Sequence, residues 1–176
     1  MEIIAAVLSD IPSICEILNL AYRGEEAKKG WTYESDLIEG DKRTSEEDLS
    51  TLLSKKNTLF FVAKNQNQKV IGTLLLEIKD KSLHMGMLSV QPSLQGNGLG
   101  KMLFSKAVET GKLLHLKNIL IQVVHVRTEL IAWYEKLGFI PTGNISPFEV
   151  PLEFGKPRVP IHFMEMSYSI SQNHPR

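Results

Sequence analysis

Cysteine is almost missing from this chain. Cys15 stands alone among 176 residues, so no intrachain disulfide can form and no thiolate metal cluster can be built. Within Ile14-Cys15-Glu16-Ile17-Leu18 it reads as a small packing hydrophobe rather than a reactive thiol. Net charge is missing as well: 20 Lys and Arg offset 20 Asp and Glu. That leaves no broad basic field for nucleic acid or an anionic membrane, although a neutral total can hide a local patch. Apolar runs never approach the length of about eighteen residues that crosses a bilayer, so no membrane association is expected. The opening Met1–Val7 has no basic region and meets Asp10 too early for a signal peptide. The cytoplasm is the expected compartment.

What the chain does contain is ordinary globular material, 43% hydrophobic and 23% charged. Its length suits one domain, expected over residues 1–170, with 171–176 as a disordered tail. Residues 2–7 read as a strand, and Ser9-Asp10-Ile11-Pro12 as a helix start. Ile14, Ile17, Leu18 and Ala21 continue that helix to Tyr22. Residues 23–43, broken by Gly24, Gly30 and Gly40, read as a long loop with some helix and more acid than base. Thr44-Ser45-Glu46-Glu47 has capping-box spacing before Leu49, Leu52 and Leu53. Thr58–Lys64, Lys69–Asp80 and Lys81–Val90 read as an antiparallel meander. A helix is expected from Gly98 to Leu114, with Leu99, Leu103, Ala107 and Leu114 inward. Asn118–His125 reads as a central strand. A helix over 127–137 ends in Leu137-Gly138-Phe139, the pattern of a left-handed glycine stop. Residues 143–160, with four prolines, read as a second long loop, and Ile161–Ile170 as the last strand.

The most informative stretch is Gln95-Gly96-Asn97-Gly98-Leu99-Gly100-Lys101, a strand-to-helix turn with three alternating glycines. Glycine lets backbone approach a ligand closely, and free N–H groups at a helix N-terminus attract anions. A diphosphate fits this chemistry, and so does a tight corner without a ligand. A P-loop is excluded, because three residues rather than four separate Gly96 from Gly100-Lys101 and Met102 follows. The dinucleotide fingerprint is excluded because Lys101 stands where its third glycine belongs.

Gln95-x-x-Gly98-x-Gly100, after a strand ending Leu88-Ser89-Val90, resembles the acetyl-CoA signature of the GNAT N-acetyltransferases. Trp133-Tyr134-Glu135-Lys136-Leu137-Gly138-Phe139 is similar to that family's second landmark, and the element order over residues 2–170 agrees. The resemblance implies a mixed α/β fold: a mostly antiparallel sheet of six to seven strands, about four flanking helices, and splayed central strands. It also implies acetyl-CoA (coenzyme A) as the acyl donor. Leu88, Ser89 and Val90 would bond the pantetheine arm, and Gln95, Gly96, Asn97, Gly98, Leu99, Gly100 and Lys101 would wrap the diphosphate. The N–H near Leu88 would serve the thioester oxygen. Tyr134 would protonate the departing thiolate, although its place on the apolar stripe also suits a core aromatic. No metal is implied.

Two departures from the family pattern are present. Arg127 stands where an asparagine that contacts the cofactor is common; it either reaches a phosphate or faces solvent. No acid occurs in Leu83-His84-Met85-Gly86-Met87, where the family often places its base. His84 and Glu77 are the substitutes, and each is also an ordinary residue for a half-exposed strand. In this fold the acceptor enters beside the two long loops, which makes Tyr22, Trp31, Glu34, Glu39 and Arg43 candidates for its mouth, with Phe148 and Phe154 opposite. The acidic excess suits a cationic amine, and equally a solvated loop. A small-molecule amine is the implied partner, and a second copy of the chain is a further one to consider. A protein lysine or N-terminus as acceptor, and a non-catalytic acyl-CoA sensor, are the competing functions.

Overall fold

The computed structural model describes residues 1–30 and 32–170; Trp31 and the expected tail at 171–176 lie outside the described residues. In chain order the elements are β1 (Glu2–Ala5), α1 (Ile11–Arg23), β2 (Ile38–Glu39), α2 (Glu46–Ser54), β3 (Thr58–Lys64), β4 (Val70–Lys79) and β5 (Ser82–Val90). There follow α3 (Leu99–Leu113), β6 (Asn118–Val124), α4 (Thr128–Leu137), β7 (Ile140–Pro147), β8 (Lys156–Pro157) and β9 (His162–Ser169). Seven strands form one sheet in the order β1-β3-β4-β5-β6-β9-β7. Only the β5–β6 pair in it is parallel. This is the mixed, mostly antiparallel sheet with four α-helices that the resemblance implied.

The helices pack on both faces of the sheet because its central strands carry apolar side chains both ways. On one face Leu99, Leu103, Phe104 and Ala107 of α3 and Tyr134 of α4 meet Leu83, Met85, Leu88, Ile119 and Phe139. On the other, Ile14, Ile17 and Leu18 of α1 and Leu49 of α2 meet Phe60, Val62, Val70 and Leu75. Asp10 does not cap α1 in the usual way. Its carboxylate accepts from Val7 N–H at 3.0 Å and pairs with Lys64 Nζ at 2.7 Å, which ties the helix entry to β3.

Four expectations need correction. Residues 140–147 form an edge strand paired to β9, partly inside the stretch read as loop. Seven of its eight residues are exposed, so no hydrophobic alternation marks it, and Pro141 and Pro147 suit an edge where N–H groups need no partner. The α2 cap is Ser45, accepting from Asp48 N–H at 3.2 Å, one residue later than the Thr44 reading. Thr44 is buried instead. Leu114 closes α3 exposed rather than inward. The first strand stops at Ala5. Between α1 and α2 there is a 3-10 turn at Glu25–Lys29 and the short β2, which pairs with β8 through Ile38↔Pro157 and Glu39↔Lys156. The two long loops are thereby tied together.

Candidate active site

Strands β5 and β6 pair only at their starts, through Ser82↔Asn118, Leu83↔Ile119 and His84↔Leu120. Beyond His84 they separate. Just there β5 carries a bulge: its register with β4 passes from Leu75↔Gly86 to Thr73↔Ser89, and Met87 adopts φ of +46°. An extra residue bends a strand and increases its twist. The buried Thr73 hydroxyl donates to the Met87 carbonyl at 2.7 Å and fixes the distortion.

At the far end of β5 the glycine turn leads into α3. Gly96 and Gly98 have φ of +87° and +81°, and a Cβ built on either would meet nothing within 4 Å. The turn therefore needs glycine for its backbone and faces open space. With Val90, Leu94, Gln95, Gly100, Lys101 and Trp133 it encloses a cavity of about 150 Å³. The first turn of α3 has no acid, so the positive end of the helix dipole is not offset there. The residues fit a diphosphate. Leu99 is buried, so only its backbone can contribute, whereas Asn97 is exposed.

Gln95, which lines this cavity, and Arg127 both reach the loop after α1. Gln95 Nε2 donates to the Val90 carbonyl at 3.2 Å and to Thr32 Oγ1 at 3.4 Å. Arg127 Nη1 donates to the Thr32 carbonyl at 3.5 Å. Thr32, fully buried, donates in turn to Ala21 O at 2.7 Å. Both long side chains thus anchor the loop after α1, an arrangement the sequence reading did not contain. Carbonyls of β5 are similarly occupied: Tyr22 Oη donates to Leu88 O at 3.2 Å. Ser89 is buried with its hydroxyl unpartnered among the described residues.

Tyr134 lies buried on α4, edge-on to Trp133 and Phe139 at 5.0 and 5.3 Å. Burial, with a smaller contribution from Tyr22, holds its hydroxyl far above the ordinary tyrosine range, against a lowering by Arg127. Burial also pushes Tyr22 up to about 12, with Arg43 lowering it and Glu34 raising it. Each phenol therefore stays protonated in neutral solution. Glycine ends α4 as expected: Gly138 has φ of +104° and Phe139 N–H bonds back to Tyr134 O at 3.1 Å.

Where β5 and β6 begin to part, a cavity of about 260 Å³ is lined by Arg43, Glu77, His84, Gly86, Gln122 and Glu165 among others. Glu77 and His84 are direct cross-strand partners, so both base candidates face one space. Glu77 also pairs with Lys79 at 3.3 Å. Of the mouth residues, Arg43 lies over the Tyr22 ring at 5.4 Å. Glu34 is not available as a free acid, because Arg23 Nε holds its Oε2 at 3.2 Å. Glu39 is exposed on β2 opposite Lys156. Phe148 and Phe154 line a smaller cavity of about 90 Å³ with Arg23, Glu34, Arg43 and Phe163. Sequence reading missed Arg23, Thr32, Phe163 and Glu165. Glu165 carried a weak signal as the sole acid of the last strand, on the same alternating face as Phe163. Thr32 carried none.

The sequence model described as the acetyltransferase (GNAT) family matches residues 11–139. Human N-acetyltransferase 8B is 27% identical over 125 residues, which cover 67% of this chain and 53% of that protein. The chain thus spans about half the length of that relative. Among solved structures, ribosomal-protein-S18-alanine N-acetyltransferase from Escherichia coli superposes with a TM-score of 0.69 at 18% identity, covering 98% of this chain and 96% of the other. A chimera of spermidine N-acetyltransferase SpeG from Vibrio cholerae and hSSAT gives 0.70 at 18% identity, covering 98% of each chain. These structures share the fold, and their acceptors differ in class.

Proposed function

The chain belongs to the GNAT acetyltransferase family, and we propose that it moves an acetyl group from acetyl-CoA directly to the primary amine of a small molecule. The observation that carries this is a pair of cavities at the two ends of the gap between β5 and β6, the glycine turn at one and the Glu77–His84 pair at the other. Residues 1–170 act as a single catalytic domain in this reading, and the cytoplasm remains its proposed compartment. Among the described residues no helix is long and apolar enough to cross a membrane.

Acetyl-CoA supplies the acyl group as a thioester when bound. The N–H groups of the turn at 95–101 hold the diphosphate, with Lys101 adding charge. Backbone of Leu88, Ser89 and Val90 aligns the arm, through the groups that Tyr22 and Gln95 leave open. In the transfer the carbonyl–sulfur bond breaks and a carbonyl–nitrogen bond forms. The N–H at the bulge near Leu88 is the donor for the oxygen that gains charge. Tyr134 gives its hydroxyl proton to the sulfur, and its burial keeps that proton in place until it is needed. His84, with Glu77 beside it, takes the proton of the attacking amine, directly or through water. No cluster of three metal-ligating side chains occurs among the described residues.

A small acceptor is favoured over a protein because β2 and β8 close the two loops on each other where an extended peptide would need an open groove. Release of CoA thiol from acetyl-CoA with a panel of amino acids, polyamines and peptides tests the proposal. Turnover with the small amines supports it; turnover with peptides alone replaces it by a protein acceptor. Binding of CoA without any turnover makes the chain a sensor.

A further inference from the structure

Two guanidinium groups stand at the acceptor end of the gap, and only one is neutralised. Arg23 is buried, paired with Glu34 at 3.2 Å, and donates to the Gly40 and Lys42 carbonyls at 3.4 and 3.2 Å. Arg43 has no carboxylate within ion-pair distance among the described residues. It is nonetheless held in place. Its backbone N–H and that of Thr44 donate to Asn19 Oδ1 at 2.6 and 3.1 Å, and its side chain rests over the Tyr22 ring. Tyr22 is in turn fixed to β5 through Leu88 O.

The acids that share cavities with Arg43 are partnered by other groups, Glu77 and Glu165 through one oxygen each. Glu34 is bound to Arg23, and Glu77 Oε1 to Lys79, which lines the larger of the two cavities, while no bond to Glu77 Oε2 occurs among the described residues. Glu165 Oε1 accepts from Thr142 Oγ1 and Asn144 Nδ2, each at 2.9 Å. Its other oxygen takes no hydrogen bond among the described residues and remains for a cation. Arg43 and Phe163 are the two residues that line both the 260 Å³ and the 90 Å³ cavity. The smaller cavity is walled by Phe148, Val150, Pro151 and Phe154, with the Phe148 and Phe163 rings 5.0 Å apart. A positioned cation thus sits where a polar cavity meets an aromatic one.

From this we infer that the acceptor is an amine bearing a carboxylate and an apolar side chain, an α-amino acid of aromatic or large aliphatic type. Its ammonium enters between Glu77, His84 and Glu165, its carboxylate meets Arg43, and its side chain fills the space between Phe148, Phe154 and Phe163. The planar guanidinium matches a carboxylate with two parallel charge-assisted bonds. A polyamine would instead set a second cation against Arg43, a repulsive element that selects against it. This assignment rests on the acetyl-transfer reading above and names the substrate class of that site.

Phenylalanine and phenethylamine form a matched pair of probes, since they share ring and amine and differ in the carboxylate. Both their binding to the enzyme–CoA complex, by calorimetry, and their kcat/KM, by thiol release, are to be measured. The unsubstituted enzyme is expected to prefer phenylalanine by about 10- to 100-fold, the range of a hydrogen-bonded charge pair. In Arg43→Gln that ratio should collapse toward one, and Arg43→Lys, which keeps charge but not the fork, should fall between. A ratio near one in the unsubstituted enzyme, tighter binding of spermidine than of phenylalanine, or a preference that survives Arg43→Gln overturns the inference. Turnover of amines with no carboxylate preference leaves the acetyltransferase proposal standing while this one fails. Carboxylate-dependent binding without turnover does the reverse.

Discussion

The Thr73 hydroxyl lies 2.7 Å from the Met87 carbonyl and donates to it across the bulge of β5. Thr73 is fully buried, whereas Met87 is only partly so. Thr73→Val keeps the shape and removes the donor, at a cost of about 0.5–1.5 kcal/mol, the net worth of one hydrogen bond. The expected result is a lower Tm together with a reduced kcat, since the backbone N–H near Leu88 shifts with the bulge. An unchanged kcat in a folded, destabilised variant would show that the bulge is not part of the catalytic geometry.

Gly98→Val should abolish CoA binding. Position 98 has φ of +81°, which a β-branched residue tolerates poorly, and its Cβ would project into the open space proposed for the diphosphate. Calorimetry on the variant, with its fold checked by circular dichroism, decides the point. Affinity equal to the parent moves the cofactor elsewhere.

Gly86 lines the cavity of about 260 Å³, a Cβ there meets nothing within 4 Å, and its φ is not in the left-handed range. Gly86→Leu should therefore fold and fill acceptor space. The acceptor KM is expected to rise roughly tenfold or more, on the scale of a blocked side-chain pocket, while the Kd for CoA stays near that of the parent. Equal losses of both affinities would place the cavity outside the acceptor path.

Raised phenol pKa values carry a sign for alkaline stability. Tyr22 ionises near 12 in the folded chain and near about 10 when unfolded. Its contribution is complete below about pH 10 and is lost as pH rises toward 12, because the unfolded state releases its proton first. Tm measured across that window should fall more steeply for the parent than for Tyr22→Phe. Parallel slopes would mean that Tyr22 is solvated in the folded protein.

Tyr134→Phe keeps the ring against Trp133 and Phe139 and removes only the hydroxyl. A fall in kcat of roughly 10²-fold is expected, the low end for a positioned acid since a thiol already leaves fairly well. Binding of acetyl-CoA and acceptor should change little, as for an interaction made mainly in the transition state. Because burial keeps Tyr134 protonated far into alkali, the alkaline limb of the parent profile should not report this residue. Parental turnover in the variant, with chemistry rate-limiting, would reduce Tyr134 to a core aromatic.

Local rules made most of the architecture legible in residue order. Apolar spacing marked α1, α3 and β3 to β6, alternating glycines marked the turn, and Leu137-Gly138-Phe139 marked the end of α4. Each depends on neighbours in the chain: a helix repeats its apolar face every three or four residues, and a left-handed turn needs glycine where it stands. The edge strand β7 escaped because exposed residues carry no burial pattern. The cap of α2 moved by one residue because Thr44 found a buried place and Ser45 took the helix start.

What the tertiary structure alone decided is which charges pair among the described residues. In sequence Glu34, Arg23 and Arg43 are three charges in a mixed loop, and nothing local pairs them. Folding brings Arg23 onto Glu34 in a buried contact, leaves Arg43 over Tyr22, and carries Phe163 and Glu165 to the same cavity from more than a hundred residues away in the chain. Gln95 and Arg127 meet at Thr32 for the same reason. Long-range pairing depends on where the sheet sets its strands, and a polar side chain takes whichever partner that geometry supplies.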